Sequence, residues 1–168
     1  MTNNITARKA TLDDVDAIVE IYNESISAGG ITWERECIKN GYVICKMVRF
    51  HKHESYFVLV EDDEILGWGS IEKHYDYRDK YPDCCETAVM LHHNLIGHGY
   101  GKHLQQALLE HCRAWHYQHA IVKIFDTNTS SIAFHRKFNY EVVGKEWAMN
   151  DLTSDSSQMT VIMHLALK

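Results

Sequence analysis

Gly97-His98-Gly99-Tyr100-Gly101-Lys102 stands between an apolar, strand-like run, Ala88-Val89-Met90-Leu91, and a segment in which Tyr100, Leu104, Leu108, Cys112 and Trp115 share one helical stripe. Glycine at every second position leaves backbone N–H groups uncovered. A helix starting directly afterwards adds its own unpaired amides and the positive end of its dipole. Strand, glycine turn and helix in that order suit a phosphate or pyrophosphate. The same residues also suffice as a plain turn that reverses the chain, so the flanking segments decide between the two.

Working outward, Ile5 to Lys9 reads as a short strand, and Thr11-Leu12-Asp13-Asp14 offers a capping hydroxyl with acidic residues in the first helical turn. Leu12, Val15, Ile18, Val19, Tyr22 and Ile26 then predict a helix up to Ala28-Gly29-Gly30. Residues 33 to 50 predict one or two less regular helices interrupted at Gly41. Tyr56–Val60, the acidic turn 61–64 and Ile65–Ile71 form a hairpin, and Lys73 to Asp83 an exposed loop suited to binding groups. Cys84 to His92 is the strand before the glycine turn. Ala120–Phe125 is a buried-type strand, Asp126–Thr129 a capping turn, and Ser130–Phe138 a short helix closed by Asn139. Strands Glu141–Trp147 and Met159–Leu167 flank a polar loop over 150–157. The order β-α-α-β-β-β-α-β-α-β-β describes a mixed α/β domain (α+β in some schemes), helices covering a central sheet. No repeat or linker divides residues 1–168, which read as a single domain.

A net charge of −6 argues against nucleic acid or an anionic membrane surface as partner. Five cysteines, none in a C-x-x-C pair and two of them adjacent (Cys84, Cys85), read as reduced thiols of a cytoplasmic protein. No segment approaches the roughly 18 consecutive apolar residues of a membrane span, and the N-terminus carries no signal-like apolar stretch. Twelve histidines are scattered away from metal-ligand spacing. His92-His93, adjacent on a strand end, point to opposite faces, so no metal is expected.

Several segments in order resemble the GNAT superfamily of N-acetyltransferases, and within it the phosphinothricin acetyltransferase branch. Arg8-Lys-Ala-Thr-Leu-Asp-Asp with Ala17-Ile-Val-Glu-Ile-Tyr-Asn-Glu24 is similar to the branch's first strand and helix. Asp79-Lys-Tyr81 followed by Glu86 resembles its loop into the fourth strand, and Gly97 to Gly101 its acetyl-CoA pyrophosphate turn. Asp126-Thr-Asn128 with Ser130-Ser-Ile-Ala-Phe-His-Arg-Lys-Phe-Asn-Tyr140 resembles its late asparagine-to-helix segment. The resemblance implies a mostly antiparallel mixed sheet of about seven strands flanked by four helices, acetyl-CoA as co-substrate, a small-molecule amine as acceptor and a homodimer. The acceptor class it implies is an amino acid or an analogue of the phosphinothricin or methionine sulfoximine type.

It also implies roles. Residues Gly97, His98, Gly99, Tyr100, Gly101 and Lys102, with Ile96 before them, would hold the pyrophosphate. Ala88, Val89, Met90 and Leu91 would bond the pantetheine arm as an added strand, the N–H of Val89 or Met90 receiving the developing oxyanion. Asn128 and Ser131 would contact pantetheine, although Asn128 serves equally as the cap of the next helix. Glu86 would take the amine proton and border the acceptor, with Tyr77 and Tyr81 beside it. His135 would give the leaving thiolate its proton, or pack between helix and sheet. Two departures stand out. Ile96 occupies a position where many members have Arg or Gln, leaving backbone amides, His98 or Lys102 to do that work. Leu152 to Gln158 replaces a Gly/Lys-rich acceptor loop.

The alternatives are a protein N-terminal or lysine acetyltransferase, and a non-catalytic acyl-CoA-binding module on the same fold. A nucleotide-phosphate loop is excluded because no Ser or Thr follows Lys102. A covalent cysteine route lacks any feature that activates Cys84 or Cys85.

Overall fold

The computed structural model of the chain describes residues 4–73, 83–147 and 158–167. The elements follow the expected order: β1 (Ile5–Lys9), α1 (Val15–Ala28), α2 (Asn40–Arg49), β2 (Ser55–Glu61), β3 (Glu64–Lys73), β4 (Cys84–Leu91), α3 (Gly101–Ala114), β5 (His119–Phe125), α4 (Thr129–Arg136), β6 (Glu141–Trp147) and β7 (Met159–Ala166).

Local chemistry sets most of the boundaries. The Asp14 carboxylate accepts the Thr11 N–H at 2.7 Å and both guanidinium nitrogens of Arg8 at 2.8 Å, tying the start of α1 to the end of β1. Arg8 thereby holds the Asp14 carboxyl below the usual carboxylate range. Leu12, expected on the apolar stripe, is instead 61% exposed. It lies in a 3-10 turn, Leu12–Asp14, whose tighter winding rotates it off the α-helical face. Gly41 does not break a helix; it sits in the first turn of α2, and residues 33–39 before it are not helical. There the Asn23 side chain holds the Ile38 N–H at 2.8 Å and its carbonyl at 3.1 Å. Asp62 and Asp63, both with positive φ (48° and 70°), make the two-residue turn that reverses β2 into β3.

One seven-stranded sheet runs β1-β2-β3-β4-β5-β7-β6. Its neighbours are antiparallel except β4 with β5. One face carries α1 and α2 over Ile18, Ile21, Tyr22, Val58 and Trp68. The other carries α3 and the flank of α4 over Leu59, Ile71, Leu104, Leu108, Val122 and Met163. Among the described residues no helix is long and apolar enough to cross a membrane, and no group of three or more His, Cys, Asp or Glu is placed to hold a metal ion.

Candidate active site

The glycine turn emerges from β4 through a 3-10 turn, His93–Leu95. Gly97 and Gly99 hold φ of 86° and 89°, and nothing lies within 4 Å of where a Cβ would stand on either. Glycine is required there by backbone conformation, and the space beside it is open. The His98 N–H turns back to the Leu95 carbonyl at 3.3 Å. Tyr100, the residue before the 14-residue α3, supplies no side-chain cap; the His103 N–H bonds the Tyr100 carbonyl at 3.1 Å, and among the described residues no side chain takes the amides before it. Lys102 is exposed on the first turn, His98 is exposed in the loop, and Ile96 is 44% exposed at its head. A Cβ on Gly101 would come within 3.4 Å of Phe134 on α4, so the start of α3 packs on the helix that follows Asn128.

The parallel pairing of β4 with β5 covers only Cys84↔His119, Cys85↔Ala120 and Glu86↔Ile121. From Thr87 to Leu91 the β5-facing edge of β4 has no strand partner among the described residues, while its other edge stays paired to β3 as far as Leu91. Ala88, Val89, Met90 and Leu91 therefore line an opening seam that ends at the glycine turn. A strand edge with free amides and carbonyls is a template for an amide-bearing arm.

Glu86 is the last β4 residue paired before the seam opens. Cys85 and Thr87 on either side of it are buried against the α3 layer, so strand alternation turns Glu86 to the α1–α2 face. It lies opposite Glu72 of β3 in the ladder. Glu72 is held by Lys46 of α2, whose Nζ lies 3.1 and 3.3 Å from its two oxygens. On the far side Lys123 of β5 pairs with Glu146 of β6 at 2.9 Å. Burial pushes the Glu86 carboxyl above the usual carboxylate range; Glu72 and Glu146 add to this, and Lys123 and Lys46 oppose it. None of these four neighbours was singled out from sequence. Period-two alternation would have aligned Glu72 with Glu86 had the strand register been readable.

Asn128 caps α4: its Oδ1 accepts the Ser131 N–H at 3.1 Å and the Ser130 hydroxyl at 3.0 Å. Its oxygen is thus committed to the fold, which leaves the amide nitrogen as the donor it could offer a ligand. His135, 4% exposed, packs edge-on against Phe134 and Tyr140. Its Nδ1–H donates to the Ser131 carbonyl at 2.8 Å, which makes Nε2 the acceptor nitrogen; Nε2 is buried without a partner among the described residues. Burial holds this imidazole below its ordinary pKa, against the opposing bond to the Ser131 carbonyl. That geometry suits the packing role. Beside it the Tyr140 hydroxyl accepts Gln105 Nε2 at 3.2 Å and shares a hydrogen bond with Thr87 at 3.3 Å.

Cys84 and Cys85 are poor nucleophiles: burial pushes the Cys84 thiol up, and a hydrogen bond with Cys112, Sγ to Sγ 3.4 Å, does the same to fully buried Cys85. His92 and His93 share a partner: Glu24 of α1 meets His92 Nδ1 at 2.9 Å and the His93 N–H at 3.0 Å, tying α1 to the approach of the glycine turn. Tyr77, Tyr81 and positions 152–157 of the departing loop lie outside the described residues.

Residues 16–140 match the acetyltransferase (GNAT) family, and the chain belongs to it. It is 27% identical over 145 residues to an L-methionine sulfoximine/L-methionine sulfone acetyltransferase of Pseudomonas aeruginosa, which covers 82% of this chain and 81% of that one. Phosphinothricin N-acetyltransferase of Alcaligenes faecalis is 25% identical over 141 residues, 83% and 71% of the two chains. The crystal structure of a GNAT phosphinothricin acetyltransferase from Sinorhizobium meliloti in complex with acetyl-CoA has a TM-score of 0.86 at 25% identity, over 99% of this chain and 89% of that one. The mixed sheet with its four helices is the GNAT fold, and the chain is an N-acetyltransferase by family.

Proposed function

We propose that this chain transfers the acetyl group of acetyl-CoA to the primary amine of a small amino acid or amino-acid analogue, by direct attack with both substrates bound. The observation that carries this is the position of Glu86 at the mouth of the β4–β5 seam, on the α1–α2 face. A pyrophosphate held by the amides of residues 97–102 directs the arm along Ala88–Leu91, and the thioester then ends beside Glu86. Glu86 takes one proton from the acceptor ammonium, and its raised proton affinity makes it a better base near neutral pH than an ordinary carboxylate. The amine nitrogen bonds to the carbonyl carbon while the N–H of Val89 or Met90 receives the oxyanion. The C–S bond then breaks, and the second amine proton passes to sulfur, so the sequence of steps needs no proton from His135.

The test is release of CoA thiol on mixing with acetyl-CoA and a panel of amino acids, methionine sulfoximine, phosphinothricin and peptide amines. Release with free amino-acid amines is expected; release with peptides alone, or with no amine, overturns the proposal. Glu86→Gln should lower kcat by about 10²- to 10⁴-fold with acetyl-CoA affinity kept. An unchanged rate removes Glu86 from the chemistry. The same proposal takes the protein as a cytoplasmic homodimer. It is supported by five free cysteines and by Val143 and Trp147, each 61% exposed on edge strand β6. A solution mass of one chain by light scattering overturns the dimer.

A further inference from the structure

Glu72 and Glu86 are directly opposite on antiparallel strands, an arrangement in which two ionised carboxylates destabilise each other. What makes it tolerable is a lysine from a different layer. Lys46 reaches down from α2 and straddles both oxygens of Glu72, at 3.1 and 3.3 Å. Both partners are about one-third exposed, so the pair is screened from bulk water without being sealed from it. Among the described residues the charged groups facing Glu86 are Lys46 from α2, Glu72 from β3, Lys123 from β5 and Glu146 from β6. The Cys84 thiol beside it on β4 is held neutral by burial.

We propose that Lys46 is a positioning residue for Glu86: by neutralising Glu72 across the β3–β4 ladder, it decides how much negative charge Glu86 meets and so the pH at which Glu86 can accept a proton from the acceptor amine. This rests on Glu86 as the base. The two halves of the pair act on Glu86 with opposite sign. Removing Lys46 leaves Glu72 unneutralised and takes a cation away, and both changes favour the protonated form of Glu86. Removing the charge of Glu72 frees Lys46 to act on Glu86 alone, which favours the ionised form. A role confined to docking α2 on the sheet predicts no such opposition.

The experiment follows the Glu86 side-chain carboxyl by carbon-13 NMR titration and, in parallel, the acid limb of kcat/KM, for the parent, Lys46→Met, Glu72→Gln and Lys46→Arg. Lys46→Met should move both the titration and the limb to higher pH, lowering kcat/KM on the acid side by about three- to tenfold while the plateau is kept. Glu72→Gln should move both to lower pH, and Lys46→Arg should reproduce the parent. Shifts in the same direction for the two charge removals, or no shift in the carboxyl titration, overturn the proposal. If the titration moves as stated and the kinetic limb does not, the effect on Glu86 stands and Glu86 as base falls. Should Lys46→Met fail to fold, Lys46→Gln takes its place: an upward shift of the Glu86 titration supports the proposal, and no shift overturns it.

Discussion

At the scale of single residues, the buried histidines have a consequence for stability. His135 is held neutral by burial, and its Nδ1–H is spent on the Ser131 carbonyl. Protonation therefore favours the unfolded chain. Because the folded pKa lies below the unfolded value of about 6.5, this contribution is complete above that pH and is lost as the pH falls below it. His111 and His164 are shifted the same way by burial and share the effect. His135→Gln should cost about 2 kcal/mol at neutral pH, since it disturbs a packed, hydrogen-bonded site. It should also flatten part of the acid limb of stability measured by urea unfolding from pH 5 to 8. Its kcat should stay within a few-fold of the parent; a loss beyond a hundredfold would restore His135 to the chemistry. Glu86 and His135 were both visible in the sequence as single residues. What separates a base from a packing residue is the environment, and Lys46, Glu72, Lys123 and Glu146 reach Glu86 only through tertiary pairing.

Among the elements, the glycine turn was the most legible because its chemistry is local. Positive φ at Gly97 and Gly99 follows from residue type, and the helix behind it follows from spacing. Strands β1 and β6 have the bounds read in the sequence, Ile5–Lys9 and Glu141–Trp147. The α1–α2 connection was not legible, because 33–39 is held by the Asn23 side chain from another helix and not by its own periodicity. Replacing a turn glycine separates backbone shape from space. Gly99→Ala meets open space but a φ of 89° that alanine rarely adopts, so the loop should deform. We expect a cost of about 1 to 3 kcal/mol in turn geometry, seen as a tenfold or greater rise in the acetyl-CoA dissociation constant by calorimetry. The kcat at saturating acetyl-CoA should change little. A parent-like dissociation constant would mean that the turn does not hold the pyrophosphate.

For the whole molecule, seven strands and four helices in order could be read from patterning, yet the placing of β7 between β5 and β6, and the parting of β4 from β5, could not. Both depend on which hydrophobic face meets which, and one-dimensional patterns carry no register between distant strands. The consequence is a sheet in two parts, β1-β2-β3-β4 and β5-β7-β6, joined by three registered residue pairs at Cys84–Glu86 and His119–Ile121. Among the described residues no strand pairs the seam-facing edge of 87–91, so its amides are open to an arm laid along it. Hydrogen exchange read peptide by peptide tests this. Acetyl-CoA should slow exchange in 87–91 and in 97–104 together, because one molecule spans the seam and the turn. A fragment of CoA ending at the pyrophosphate should slow exchange in 97–104 alone. If acetyl-CoA protects the turn and leaves 87–91 at its free rate, the arm does not lie along β4. Glu86 would then stand too far from the thioester to act on an amine attacking it.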